Sequence, residues 1–143
     1  MADILHDFII RAQSSKVFAG ISTPAGLDAW WTKKSVGEAA VGTEYELFFG
    51  PKYDWRAVVS KCIPNKEFEL KMTKSDSEWR DTLIGFNLRQ MDAVTQAQFY
   101  HKNWPAESEH FRISSYCWAM YLRILKRHIE FGENVDYDKR LEV

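Results

Sequence analysis

The chain has 143 residues, which is enough for one domain with a substantial core. Its formal net charge is −1 and its basic residues form no cluster, so a nucleic-acid-binding surface is not expected. No apolar run approaches the roughly 20 residues of a membrane-spanning helix. Acidic residues within positions 1–7 argue against a signal peptide, and we therefore expect a cytoplasmic protein without membrane contact.

The N-terminal part of the sequence predicts one strand followed by two short helices. Residues 3–12 end in an apolar run and indicate the strand. The serine pair at 14–15 can cap the first helix. Pro24 begins the second, because a proline at the first helical position lacks only an N–H that would have no partner there. Trp30 and Trp31 lie on the apolar side of this second helix, so at least one indole should be buried.

Apolar and polar side chains alternate with a period of two between residues 44 and 102. This pattern predicts consecutive strands with one buried and one exposed face. Turn residues interrupt it at 50–51, at 64–65 and over the polar stretch 74–78. Connections this short pair neighbouring strands in antiparallel fashion, so we expect a meander of about five strands.

A long amphipathic helix is predicted at about residues 106–131. Its apolar stripe recurs at steps of three and four residues and consists of Phe111, Ser115, Trp118, Leu122, Leu125 and Ile129. Gly132 is a typical stop signal, and residues 133–143 lack periodicity, so we expect a loose polar tail after a single domain of residues 1–132. The sheet and the stripe can cover each other, which predicts an α+β fold with a curved antiparallel sheet wrapped around the C-terminal helix.

Four stretches carry a family resemblance: residues 15–18 (SKVF), 27–31 (LDAWW), 95–101 (TQAQFYH) with Trp104, and 118–126 (WAMYLRILK) followed by 129–132 (IEFG). In this order they resemble the START-like (SRPBCC) superfamily, and within it the homologues of the activator of the ninety-kilodalton heat-shock chaperone ATPase. The resemblance implies the helix-grip fold and a small apolar ligand held between sheet and helix. It also implies a chaperone partner for the family, and cyclase, dehydratase or hydrolase activity in some superfamily members. One departure is that a single glycine, Gly42, stands where such families often carry two.

The sequence contains no catalytic motif, no metal-ligand spacing and no cofactor-binding loop, so we expect no metal and no cofactor. Cys62 and Cys117 should be free thiols. His101 follows Phe99 on the inward side of its strand. Its imidazole could act as a general base or anchor a polar ligand head, or it could simply be satisfied inside the core. Since it has no titratable companion, an enzyme is the less favoured interpretation, and we assign no catalytic residue.

Aromatic residues make up 15% of the chain, which suits a thick core or the walls of an apolar cavity. We predict a small hydrophobic or amphipathic ligand in a cavity between sheet and C-terminal helix. The candidate ligand-binding residues are Trp55, Met72, Phe86, Phe99, His101, Ser115, Trp118 and Tyr121. The alternatives are a chaperone-regulating interaction module and a cavity enzyme of the cyclase or hydrolase type.

A second apolar group lies on the back of the long helix and contains Ile113, Cys117, Met120, Ile124 and Phe131. One sheet cannot cover both apolar groups, so the second must meet something else. We predict a homodimer through Cys117, Met120, Ile124 and Phe131, because two-fold dimers are the commonest closed assembly. The competing prediction is that the C-terminal tail folds back and covers this group with Val135, Tyr137 and Leu141.

Overall fold

A computed structural model describes residues 1–143. The chain forms a curved antiparallel sheet, three α-helices and a final 3-10 helix. In chain order the elements are β1 (Ala2–Ile10), α1 (Ser14–Ser22), α2 (Pro24–Trp30), β2 (Lys34–Val36), β3 (Glu44–Phe48), β4 (Asp54–Ile63), β5 (Glu67–Lys74), β6 (Leu83–Met91), β7 (Val94–Trp104), α3 (Glu109–Phe131) and the 3-10 helix (Tyr137–Glu142). This architecture confirms the predicted α+β helix-grip fold, with its two short helices after the first strand.

The seven strands follow the order β1-β7-β6-β5-β4-β3-β2, and every neighbouring pair is antiparallel. Strands β2 to β7 form the predicted meander. Strand β1 joins the far edge by pairing with β7, so that Ala2 faces Trp104 and Ile10 faces Thr95. The first and last strands of the chain therefore close one side of the sheet next to α3.

Helix α3 begins and ends at the residues that its capping chemistry requires. The Ser108 hydroxyl accepts a hydrogen bond from the Phe111 amide at 3.2 Å, and Gly132 adopts the left-handed conformation with φ 69°. Four of the predicted stripe residues, Trp118, Leu122, Leu125 and Ile129, are buried. Ser114 is buried in place of the predicted Ser115, and Ile124 is buried as well, so the covered arc of the helix is wider than the stripe.

The two short helices pack closely because Gly26 has no side chain. A Cβ atom at this position would lie 2.5 Å from the Ala19 carbonyl oxygen, well inside van der Waals contact. The Thr23 hydroxyl accepts a hydrogen bond from the Gly26 amide at 3.0 Å and fixes the start of α2. This helix then directs Trp30 into the core, where its indole Nε1 donates to the Gly20 carbonyl at 2.9 Å.

The C-terminal segment, residues 133–143, is not the loose tail that its polar composition suggested. Arg140 is only 4% exposed, and its guanidinium donates to the backbone carbonyls of Asp28 (2.6 Å) and Thr32 (3.2 Å) at the end of α2. The Tyr137 hydroxyl donates to the Phe49 carbonyl at 3.1 Å. Hydrogen bonds from side chains to distant backbone hold this segment, and such bonds leave no periodic pattern in a sequence.

Candidate functional site

The middle of the space between sheet and α3 is filled by aromatic side chains. The rings of Phe99 and Trp118 have centroids 4.6 Å apart, and Phe86 packs edge-on against Phe99 at 5.2 Å. Trp30 meets Phe86 edge-on at 6.1 Å. All four residues are at most 3% exposed. Offset and edge-to-face packing at these distances is typical of a solid core, so open space must lie elsewhere.

An aromatic pocket of about 260 Å³ opens at one end of this core. It lies where α3, the 3-10 helix, the end of α2, the β3–β4 turn, β4 and the β5–β6 connection meet. Eight of its twelve lining residues are phenylalanine, tyrosine or tryptophan. The aromatic pocket is lined by Trp31, Phe49, Tyr53, Trp55, Trp79, His110, Ile113, Ser114, Cys117, Trp118, Tyr121 and Tyr137.

The walls of the aromatic pocket form one connected indole surface. Trp118 packs against Trp31 at 5.3 Å and stacks on Trp79 at 5.8 Å, and Trp79 in turn contacts Trp55 at 5.1 Å. Trp79 is held in the β5–β6 connection because its amide donates to the Asp76 carboxylate at 3.0 Å. Large rings that hold one another in this way give the pocket fixed, apolar walls.

Several donors in the lining have no partner in the protein. The Nε1 atom of Trp79 is buried and forms no hydrogen bond, which costs about 1–3 kcal/mol for a buried polar group. The Tyr121 hydroxyl likewise forms no hydrogen bond within the chain, and burial raises its pKa to about 12, so it remains a neutral O–H at physiological pH. Burial also raises the pKa of the Cys117 thiol. The pocket therefore offers uncharged donors and no carboxylate.

Charged groups are confined to the rim. His110, at the start of α3, lies 3.0 Å from the Glu78 carboxylate through Nδ1, and the Ser108 hydroxyl donates to the same carboxylate at 2.6 Å. These hydrogen bonds, that of Ser108 foremost, lower the pKa of Glu78. The His110 ring stacks on Trp79 with centroids 6.5 Å apart. The rim thus ties the β5–β6 connection to α3 beside the pocket entrance.

His101 lies behind the pocket wall with every hydrogen-bonding position occupied. Its Nδ1 accepts from Trp118 Nε1 at 3.1 Å, so the ring proton resides on Nε2, which is 2.8 Å from the Thr82 hydroxyl oxygen. That hydroxyl donates onward to the Trp79 carbonyl. Burial, with a smaller contribution from His110, lowers the pKa of His101 to about 3. The side chain is 0% exposed, so it is a neutral structural histidine that holds two walls of the pocket in position.

A second recess of about 380 Å³ runs between β1 and α3. Its lining includes Asp7, Arg123 and Lys126. Lys126 already donates to the Ile9 carbonyl at 2.5 Å and to Glu130 at 2.6 Å. Half of its lining is hydrophobic, but its three charged side chains suit an apolar ligand less well than the aromatic pocket does.

Comparison with known proteins identifies the family. Residues 11–130 match the family described as "Activator of Hsp90 ATPase homolog 1-like protein". The chain belongs to this family. The predicted family resemblance is thereby confirmed, and residues 133–143, which supply Tyr137 to the pocket, lie beyond the matched region. No curated protein matches the chain significantly.

Solved structures agree with this family assignment. The chain is similar to the Aha1 dimer from Colwellia psychrerythraea, with 29% identity, coverage of 94% of this chain and 100% of that one, and a TM-score of 0.84. It shares the fold of protein SSP2350 from Staphylococcus saprophyticus, with 17% identity, 94% and 96% coverage and a TM-score of 0.78. It also shares the fold of CalU16 from Micromonospora echinospora, with 15% identity, 98% and 81% coverage and a TM-score of 0.74. No helix of this family member has the length and hydrophobicity required to cross a membrane.

The predicted ligand-binding residues of this family member fall into three groups. Trp55, Trp118 and Tyr121 line the aromatic pocket. Ser115 lies outside it, where its carbonyl is 3.2 Å from His6 Nε2. The remaining four, Met72, Phe86, Phe99 and His101, are buried in the core and do not line the pocket.

Sequence reasoning missed five aromatic residues of the pocket lining. Trp31 caps α2, Phe49 and Tyr53 lie in the β3–β4 turn, Trp79 lies in the β5–β6 connection and Tyr137 begins the 3-10 helix. All five stand at the ends of elements or between them, where periodicity gives no orientation. The available signal was compositional, since an indole such as Trp79 in a polar turn is unusual unless it is packed against something.

Proposed function

We propose that this protein binds a small, flat, uncharged aromatic molecule in the aromatic pocket. The observation that carries the proposal is the lining itself: eight phenylalanine, tyrosine and tryptophan rings around a space of about 260 Å³. An apolar cavity of roughly 150 Å³ accommodates benzene, so this volume suits a molecule of one or two fused rings. Ligand sites are typically apolar concave surfaces with a few polar groups that orient the ligand.

The unpartnered donors define the polar part of this ligand. The Tyr121 hydroxyl can donate to an acceptor in the pocket, and no lining side chain is a carboxylate. A phenol or aromatic ketone would stack on the indoles and accept such a hydrogen bond. His101 supports no catalytic step, because its imidazole has no free nitrogen and no exposure.

Titration calorimetry with 2-naphthol tests this proposal. We expect wild-type protein to bind one molecule with a dissociation constant on the order of 10 µM, a reasonable efficiency for eleven heavy atoms. Trp55→Ala removes a wall that is only partly buried, so the fold should survive while affinity falls about tenfold or more.

Ser115→Ala is the matched control, because Ser115 lies on the same helix as Trp118 but outside the pocket. Its affinity for 2-naphthol should equal that of the wild type. If wild-type protein binds neither 2-naphthol nor another two-ring phenol up to millimolar concentration, the ligand-binding proposal is wrong. Equal losses in both variants would place the binding site elsewhere.

We further propose that two copies associate through the exposed back of α3. Two observations support this: the neighbour from Colwellia psychrerythraea is described as a dimer, and Ile113 and Phe131 are 53% and 65% exposed on one side of the helix. Of the four predicted contact residues, Cys117, Met120 and Phe131 reach the surface to different degrees. Ile124 is 3% exposed within one chain, so it cannot take part in the contact.

Light scattering at micromolar concentration tests the dimer. We expect a dimer of wild-type chains that dissociates in Ile113→Glu, because a carboxylate would be desolvated at the contact. Leu5→Glu is the control, since Leu5 is 64% exposed on the edge strand β1 and lies off this helix face. A wild-type monomer contradicts the dimer, and would favour a chaperone partner, which the family description suggests, as the occupant of this face.

We also propose a cytoplasmic location. Cys62 and Cys117 are both free thiols, as is usual for proteins kept in a reducing compartment.

A further inference from the structure

The C-terminal segment reaches the aromatic pocket from outside the part of the chain that matches the family. Family similarity ends at residue 130, whereas Tyr137 belongs to the lining of the pocket. The Tyr137 hydroxyl donates to the Phe49 carbonyl on the opposite side, in the turn after β3. One aromatic side chain thus joins the end of α3 to the β3–β4 turn across this end of the pocket.

The segment is fixed independently of Tyr137. Arg140 donates three hydrogen bonds to backbone carbonyls, those of Asp28, Thr32 and Val135, and has no carboxylate partner. Two of these carbonyls lie at the C-terminal end of α2, where unpaired carbonyls attract a cation. The guanidinium also lies over the Tyr137 ring, 5.3 Å from its centroid. Val135 packs against the core. Removing the Tyr137 ring therefore leaves an anchor that holds the rest of the segment.

We propose that Tyr137 sets the upper size limit of the ligand that the aromatic pocket accepts. This inference rests on the proposed ligand-binding function. Trp31, Trp79 and Trp118 form walls that pack against one another in the core, whereas Tyr137 is a half-buried ring on a short terminal segment. Truncating that ring extends the pocket outward, and a ligand with more fused rings can then be accommodated.

Binding of two phenols of different size to the full-length protein tests the proposal: 2-naphthol with two fused rings and 1-hydroxypyrene with four. In wild-type protein 2-naphthol should bind at least tenfold more tightly. In Tyr137→Ala we expect the affinity for 1-hydroxypyrene to rise about tenfold and that for 2-naphthol to fall a few-fold. Tyr137→Phe, which keeps the ring and loses only the hydroxyl, should retain the wild-type preference.

Leu141→Ala is the control within the same segment, because Leu141 is 73% exposed and does not line the pocket. It should leave both affinities unchanged. If Tyr137→Ala binds 2-naphthol but keeps the wild-type ratio of the two affinities, the size limit is not set by Tyr137 and this inference fails alone.

Quenching of tryptophan fluorescence by acrylamide tests the position of Tyr137 without any ligand. It therefore distinguishes an error about Tyr137 from an error about ligand binding. Tyr137→Ala should increase the quenching constant about twofold, because the indoles behind Tyr137 become accessible whether or not a ligand binds. If neither phenol binds wild-type protein, the proposed function fails and the size limit fails with it. Unchanged quenching in Tyr137→Ala would show that Tyr137 does not close the pocket and would overturn the inference on its own.

Discussion

Between pH 7 and pH 5 the protein should lose about 2 kcal/mol of its free energy of unfolding through His101 alone. The pKa of this histidine is lowered to about 3 in the folded chain, against an ordinary value of about 6.5. As the pH falls below about 6.5, His101 binds a proton in the unfolded chain but stays neutral in the folded chain. The stability is therefore fully present above pH 6.5 and declines by about 1.4 kcal/mol per pH unit down to about pH 3.

Urea unfolding at pH 7, 6 and 5 measures this loss. His101→Gln should be less stable at pH 7, because its amide cannot reproduce both hydrogen bonds, but its stability should depend much less on pH. His128→Gln is the control: His128 lies at the exposed end of α3, and its removal should leave the wild-type slope intact. Parallel pH profiles for wild type and His101→Gln would contradict the assignment of a neutral, buried His101.

Trp118→Ala should destabilise the fold by about 3–5 kcal/mol, the usual cost of removing a large buried aromatic side chain. Trp118 is 2% exposed and lies at the centre of the aromatic cluster, within 4.6 Å of Phe99 and 5.3 Å of Trp31 between ring centroids. Its loss leaves a cavity between α3 and the sheet, and it deprives His101 Nδ1 of its donor. Chemical denaturation at pH 7 measures the effect.

Two further variants separate the contribution of the Trp118 ring from that of its N–H group and from general effects of substitution on this helix. Trp118→Phe retains most of the ring and loses the N–H, so we expect a cost of about 1–3 kcal/mol. Tyr116→Ala, on the same helix but 80% exposed, should stay within about 0.5 kcal/mol of wild type. A loss below about 1.5 kcal/mol in Trp118→Ala would mean that the core closes over the gap, and that Trp118 is less central than its contacts indicate.

The fold could be predicted because each of its main elements has a periodicity of its own. Alternation around Phe68 and Phe86 marks β5 and β6, and steps of three and four residues mark α3, before any tertiary contact is known. The rotation of α3 about its axis differs slightly from the predicted one. A change of one position moves a side chain by 100° around the helix, which is why Ser114 and not Ser115 meets the pocket.

The pocket could be predicted only in part, for a different reason. Trp55, Trp118 and Tyr121 lie inside regular elements, and Trp118 belongs to the apolar stripe whose period gives an inward direction. Trp79 and Tyr137 reach the pocket through a turn and a terminal segment, whose paths depend on hydrogen bonds to distant backbone. Nor does alternation distinguish an inward residue that lines open space from one that fills it. His101 is inward as predicted, yet it is sealed behind Trp118.

The pairing of β1 with β7 also determines when the fold can be completed. The partners of β1 lie about 85 to 100 residues later in the chain, so this edge cannot close until residues 95–104 have been made. At a synthesis rate of about 5–20 residues per second, β1 waits roughly 5–20 s on the ribosome with its apolar side chains uncovered. Contacts so distant in sequence are also slow to form in the released chain, because the intervening loop must be ordered first. We therefore expect the first strand to dock late in folding, onto the edge of a meander that can already have formed without it.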